Sequence, residues 1–102
     1  MASEEVLLAK ATGAANSKDF DVIGVPVTVR VYPKANLAAE TGVLVQKNPD
    51  GTYDDVYDMS NTQIALGATM PQVSVHGAGT YRVEFAARTS AIGVSIMNNV
   101  RN

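Results

Sequence analysis

The 102-residue chain has no cysteine and no tryptophan, a single histidine, and only six aromatic residues. Without cysteine there can be no disulfide framework, thiolate zinc site, cysteine nucleophile or iron–sulfur centre. The lone imidazole, His76, excludes a site that needs two histidines from one chain. Eight Lys and Arg against ten Asp and Glu leave a net charge of −2 and a pI near 5.1. The basic stripe of a nucleic-acid binder is therefore missing, and so is any block of like charge. No stretch approaches the roughly 18 apolar residues of a membrane helix. The opening MASEEVLLAK carries two glutamates where a secretory signal would be basic, and its apolar run is only residues 6–8. The expectation is a protein that works without signal-directed export and has neither membrane nor nucleic acid as a direct partner.

What is present is strand material. Fourteen Val, eight Thr, eight Gly and four Pro stand beside few Leu, Lys and Glu, which favours sheet over helix. The length suits one domain with one modest core. Alternation locates the strands, because successive strand side chains point to opposite faces. The clearest case is residues 25–32, with Val25, Val27, Val29 and Val31 on one face and Thr28, Arg30 and Tyr32 on the other. Gly24 opens it, Pro33 closes it, and Pro26 marks an edge or an amide facing away from a neighbour. Residues 19–22 alternate as well, with Phe20 and Val22 inward.

Residues 42–47 then meet Asn48-Pro49-Asp50-Gly51 and return through residues 52–58, a hairpin whose proline presets φ and whose glycine accepts a positive φ. Short strands follow at residues 63–66 and 73–76. Residues 80–86 place Tyr81, Val83 and Phe85 on one face. Residues 90–97 place Ile92, Val94 and Ile96 inward and Gly93 and Ser95 outward. A hairpin is expected to join these last two across residues 87–90. Short strands at this spacing, broken by Gly, Pro and Asn, indicate an all-β fold. The expected architecture is one small antiparallel β-sandwich, immunoglobulin-like or jelly-roll-like. Tyr81, following Gly79 at the start of a late strand, is either a corner tyrosine or an ordinary inward aromatic.

The N-terminal segment, residues 1–16, has two readings. Ser3-Glu4-Glu5 can cap a two-turn helix ending near Gly13. Alternatively Val6-Leu7-Leu8 begins a first strand or an arm, which is preferred because so short a helix is marginal alone. Residues 17–102 then form the sandwich domain.

Enzymatic chemistry finds no purchase. Ser74 and His76 share a strand face, but no acid orients the imidazole and no nucleophile elbow is present. Asp50, Asp54, Asp55 and Asp58 could gather a calcium ion, yet their spacing does not match an EF-hand loop, Tyr53 and Tyr57 interrupt it, and alternation splits the acids across a strand. A charged, aggregation-resistant edge explains them better. Gly77-Ala78-Gly79 lacks the rest of a phosphate loop and reads as turn chemistry. The expectation is no enzyme, no metal and no cofactor. Tyr32, Tyr53 and Tyr57 are candidates for an exposed aromatic surface, the platform that a carbohydrate-binding module would need.

The order of these pieces carries a resemblance: Phe20-Asp21-Val22 leads into Gly24-Val25-Pro26-Val27-Thr28-Val29. Asn48-Pro49-Asp50-Gly51-Thr52-Tyr53 comes next, then Gly79-Thr80-Tyr81-Arg82-Val83 with Ala91-Ile92-Gly93-Val94. Over residues 17–97 the chain resembles the small β-sandwich structural proteins of tailed bacteriophages, in particular capsid decoration or cement proteins. The resemblance implies a virion protein made in the host cytoplasm and placed on the outer capsid surface. Its implied partners are the major capsid protein and other copies of itself, as a homotrimer. It implies no catalytic residues. A tail, neck or fibre-attachment component is the alternative placement, and a carbohydrate-binding module the alternative class. An extended N-terminal arm can add a strand to a neighbour's sheet. Glu5, Val6, Leu7, Leu8 and Lys10 are the residues expected to touch capsid or neighbour, unless that segment pairs within its own sandwich.

Overall fold

The alternating valines become strands in the computed structural model, which describes residues 3–38 and 40–98. In chain order these are β1 (Ser3–Ala11), β2 (Ala15–Asn16), β3 (Phe20–Val22), β4 (Val27–Tyr32), β5 (Gly42–Lys47), β6 (Tyr53–Asp55), β7 (Ala65–Leu66), β8 (Gln72–Val75), β9 (Gly79–Phe85) and β10 (Ile92–Asn98). A single 3-10 turn, Lys34–Asn36, follows β4. One sheet has the order β1-β10-β4-β8. In the other, β9 and β5 are central, β2 and β3 line the free side of β9, and β6 and β7 line the free side of β5. Every pairing is antiparallel. The fold is the expected antiparallel β-sandwich.

Its core is filled by the inward residues that alternation selects. Val27, Val29 and Val31 from β4 meet Ile92, Val94 and Ile96 from β10. Across the interlayer lie Phe20, Val22, Leu44, Tyr81, Val83 and Phe85. Burying each such aliphatic side chain contributes about 1.5–3 kcal/mol. Phe20 stacks on Tyr81 at 5.8 Å between ring centroids. The Tyr81 hydroxyl donates to the carbonyl of Gly77, four residues upstream, at 2.7 Å. That back-bond is the corner-tyrosine arrangement.

Two glycines mark close approaches. A Cβ on Gly42 would lie 2.6 Å from Val83 and 2.7 Å from Phe85. On Gly93 it would lie 2.5 Å from the Leu8 carbonyl and 2.9 Å from the Tyr32 ring. Gly93 is paired with Tyr32, so the ring covers the bare backbone, as aromatics do beside strand glycines.

The structure departs from sequence expectation in several places. β4 begins at Val27, and Val25 is exposed: Gly24 sits at φ +80° and Pro26 has no amide to extend the ladder. β9 and β10 do not form a hairpin. They belong to different sheets, and residues 86–91 cross between the layers. Ala87-Arg88-Thr89-Ser90 contains no residue suited to the positive φ of a two-residue hairpin turn, and each strand has an apolar face to bury. Gly93 and Ser95 point outward, yet both are buried, covered by β1, Tyr32 and Glu4. The 42–58 hairpin does form, with Gly51 at φ +91°, but its return strand stops at Asp55. There the Val56 amide turns to the Leu44 carbonyl.

Residues 3–11 are a strand, not a helix. β1 pairs with β10 over its length, with register shifts between Val6 and Leu8 and between Leu8 and Ala11. The first shift is a bulge that directs two consecutive leucines inward, Leu7 fully and Leu8 partly. The segment therefore pairs inside its own sandwich as an edge strand.

Candidate functional site

Of the five N-terminal residues expected to make contacts, Leu7 is core and Leu8 packs against it. Val6, 52% exposed, faces outward, while Glu5 and Lys10 are exposed. The free side of β1 is partly occupied, because the Leu7 carbonyl accepts from the Lys18 amide at 3.0 Å. On the outer face beside Val6, Glu4 accepts from Arg30 Nε at 2.8 Å and from the Ser95 hydroxyl at 2.7 Å. The Arg30 bond, followed by that from Ser95, holds the Glu4 carboxyl below its ordinary value. These side chains, with Val6 and Tyr32, line a shallow depression of about 200 Å³.

The three tyrosines occupy three separate settings. Tyr32 lies over Gly93 with the Arg30 guanidinium 5.5 Å from its ring centre. Tyr53, on the outer face of the other sheet, stacks under Arg82 at 3.7 Å. Its hydroxyl donates to Asp19 at 2.8 and 2.9 Å, and this bond pushes the phenol above its usual value. Arg82 in turn binds Glu84. A second open depression, of about 350 Å³, lies on this face between Asn16, Val43, Asp55 and Glu84. Tyr57 is on neither face: it stands on the excursion between β6 and β7. The tyrosines do not form one platform.

The four aspartates are spent on local structure. Asp50 accepts from the Thr52 hydroxyl and amide at 2.6 and 3.0 Å, which lowers its carboxyl value. Asp54 accepts from Asn48 and Asp55 from Gln63. Asp58 accepts from the amides of Ser60 and Thr62. Among the described residues no group of three or more His, Asp or Glu is placed to hold a metal ion. His76 is exposed at the end of β8, and Ser74 is bonded to Thr28 instead. No helix among the described residues is long and apolar enough to cross a membrane.

Three features escape sequence reading. Arg88 is buried, and its guanidinium donates to the carbonyls of Gly13 and Ile92 at 2.7 Å, and more weakly to those of Thr12 and Ala9. It ties the β1–β2 turn to the start of β10, while Glu40 holds Thr89 beside it. Ser17 is also buried, and its hydroxyl accepts from the Val83 amide in the gap between β2 and β3. Neither residue sits in a motif. The third feature is the excursion itself, residues 56–64. The Val56 amide meets Leu44, the Leu44 amide meets Ile64, and the Ile64 amide meets Val56. Residues 57–63 are exposed throughout and form a small hairpin projecting from the sheet edge, with Met59, 106% exposed, at its tip.

No family model matches the chain, and no curated protein matches it. Among solved structures, the fold matches the crystal structure of the SPBc2 prophage-derived protein YomS. The TM-score is 0.63 at 10% sequence identity, over 96% of this chain and 92% of that one.

Proposed function

We propose that this chain is a non-enzymatic structural protein of a tailed-phage particle, a decoration or cement subunit that binds the outer capsid surface and stabilises the head. The observation that carries the reading is the sandwich shared nearly end to end with a prophage-derived protein. Similarity in fold admits many functions, so the surface has to bear the rest of the argument. The four aspartates of residues 50–58 are engaged in turns and local hydrogen bonds, and Tyr53, Arg82 and Glu84 in a stack and an ion pair, all within the sandwich itself. In this role the partners are the major capsid protein and further copies of the chain, as a homotrimer. Repetition over the shell turns a modest interface into high avidity. The dispersed tyrosines lend no support to a carbohydrate-binding module.

The test is sedimentation of the purified protein with DNA-free heads of the phage that carries the gene, with the gene deleted. Light scattering supplies the oligomeric mass. Saturable co-pelleting of a small oligomer is expected. A protein that remains in the supernatant contradicts capsid binding and moves the placement to tail or neck.

A further inference from the structure

We propose that the hairpin of residues 56–64 is the docking element, its apolar tip seating in a basic-rimmed apolar socket on the capsid protein; this inference rests on the capsid-binding reading. Three observations converge on it. First, the hairpin holds apolar surface out to solvent: Met59 at the tip is 106% and Tyr57 on the stem 54% exposed. Tyr is enriched at interface hot spots, and the flexible thioether of Met adapts to a partner's surface.

Second, the hairpin is held rigid without burying that tip. The Asp58 carboxylate accepts from the amides of Ser60 at 2.9 Å and Thr62 at 3.0 Å. The Asp58 amide donates to Thr62, and the Asn61 amide to Asp58, with Asn61 in the left-handed region at φ 61°. Tyr57 is bridged to Gln63, whose amide donates to Asp55 at 2.7 Å. At the base, Val56 and Ile64 pack against the core. A loop ordered in advance loses little entropy on binding.

Third, the hairpin and the strand that leads into it carry charge of one sign: residues 53–64 hold Asp54, Asp55 and Asp58 and no Lys or Arg. The nearest cations are Lys47 and Arg82, beside Tyr53 at the start of β6. A complementary partner surface is apolar at its centre and basic at its rim. A second copy fits this description poorly. Of its two depressions described above, one is edged by Asp55 and Glu84 and the other by Glu4 in an ion pair with Arg30. The exposed Lys10, Lys18, Lys34 and Lys47 line neither.

Other exposed apolar residues serve as controls. Ile23, 79% exposed, stands in the turn between β3 and β4, where Asp19 and Asp21 are already engaged by Tyr53 and Thr80. The experiment measures head binding of wild type, Met59→Asp, Tyr57→Ser with Met59→Asp, and Ile23→Asp, each checked for an unchanged melting curve. Met59→Asp is expected to weaken binding roughly tenfold or more, and Ile23→Asp to leave it unchanged. Wild-type binding should also weaken as salt rises from about 0.05 to about 0.5 M. A double variant that binds like wild type overturns the hairpin assignment while leaving capsid binding intact. Loss of binding in Ile23→Asp alone overturns it too. A change of oligomeric mass in Met59→Asp would make a second copy the occupant, against the proposal. If wild type itself fails to bind heads, the capsid reading falls and this assignment with it.

Discussion

Replacing Arg88 by methionine tests how the crossover between the two sheets is held. The aliphatic stem is kept, and only the guanidinium and its donors are lost. The Ile92 carbonyl, bonded at 2.7 Å inside the protein, is then left without a donor, at about 1–3 kcal/mol. The Gly13 carbonyl, also at 2.7 Å, sits on an exposed turn and recovers water, so its loss is nearer about 1 kcal/mol. The bonds at 3.3 and 3.4 Å are long enough to neglect. Removing a buried cation with no carboxylate partner in the bonds it makes returns part of its desolvation cost. The sum is a loss of about 2 kcal/mol, which for this size corresponds to a fall in Tm of roughly 8–16 °C. With a urea m-value near 1 kcal/mol/M, the midpoint falls by about 2 M. Arg88→Lys should lie between, since an ammonium cannot reach four carbonyls in a fork. A loss below about 1 kcal/mol in Arg88→Met, by thermal and urea melts together, would refute the clamp.

Other consequences follow from the same packing. Gly93→Ala forces a methyl against the Leu8 carbonyl and the Tyr32 ring and should cost about 1–3 kcal/mol in a urea melt. Tyr81→Phe loses the bond to Gly77 and should cost about 1 kcal/mol by the same assay. Deleting residues 2–16 removes Leu7 and unpairs β10, so circular dichroism should report an unfolded chain rather than a trimmed sandwich. On acidification, Glu4, Glu40 and Asp50 matter most. Hydrogen bonds, first from the side chains of Arg30, Thr89 and Thr52 respectively, hold their carboxyls below the ordinary 4.5, 4.5 and 3.8. A depressed carboxylate stabilises the fold above its ordinary value, and that contribution is lost as pH falls through the folded value. The Tm should therefore be level above the ordinary carboxylate range and fall below it, with a shallower fall in Glu4→Gln.

The parts of the fold legible in the sequence are those set by a two-residue period or by turn chemistry. Val27, Val29 and Val31 declare an inward face, and Asn48-Pro49-Asp50-Gly51 declares its hairpin. What remained hidden depends on contacts between distant residues. Residues 87–90 resemble a turn because nothing local shows that Arg88 will reach carbonyls of residues 9–13. The outward-facing Gly93 and Ser95 become buried only because β1 and Tyr32 close over them. The leucine pair at positions 7 and 8 breaks alternation, and a bulge is the structural answer to that break. The projecting hairpin was half visible. Its one aspartate, Asp58, reads with Asp54 and Asp55 as edge protection, but Met59 at the tip carries no sequence signal until the turn around it is closed by Asp58.

The most direct test of the central claim is the stoichiometry of this protein in purified particles, by quantitative mass spectrometry of intact virions and of heads separated from tails. A decoration subunit predicts a fixed, high ratio to the major capsid protein that stays with the heads. A few copies that leave with the tails, or absence from the particle, would contradict it.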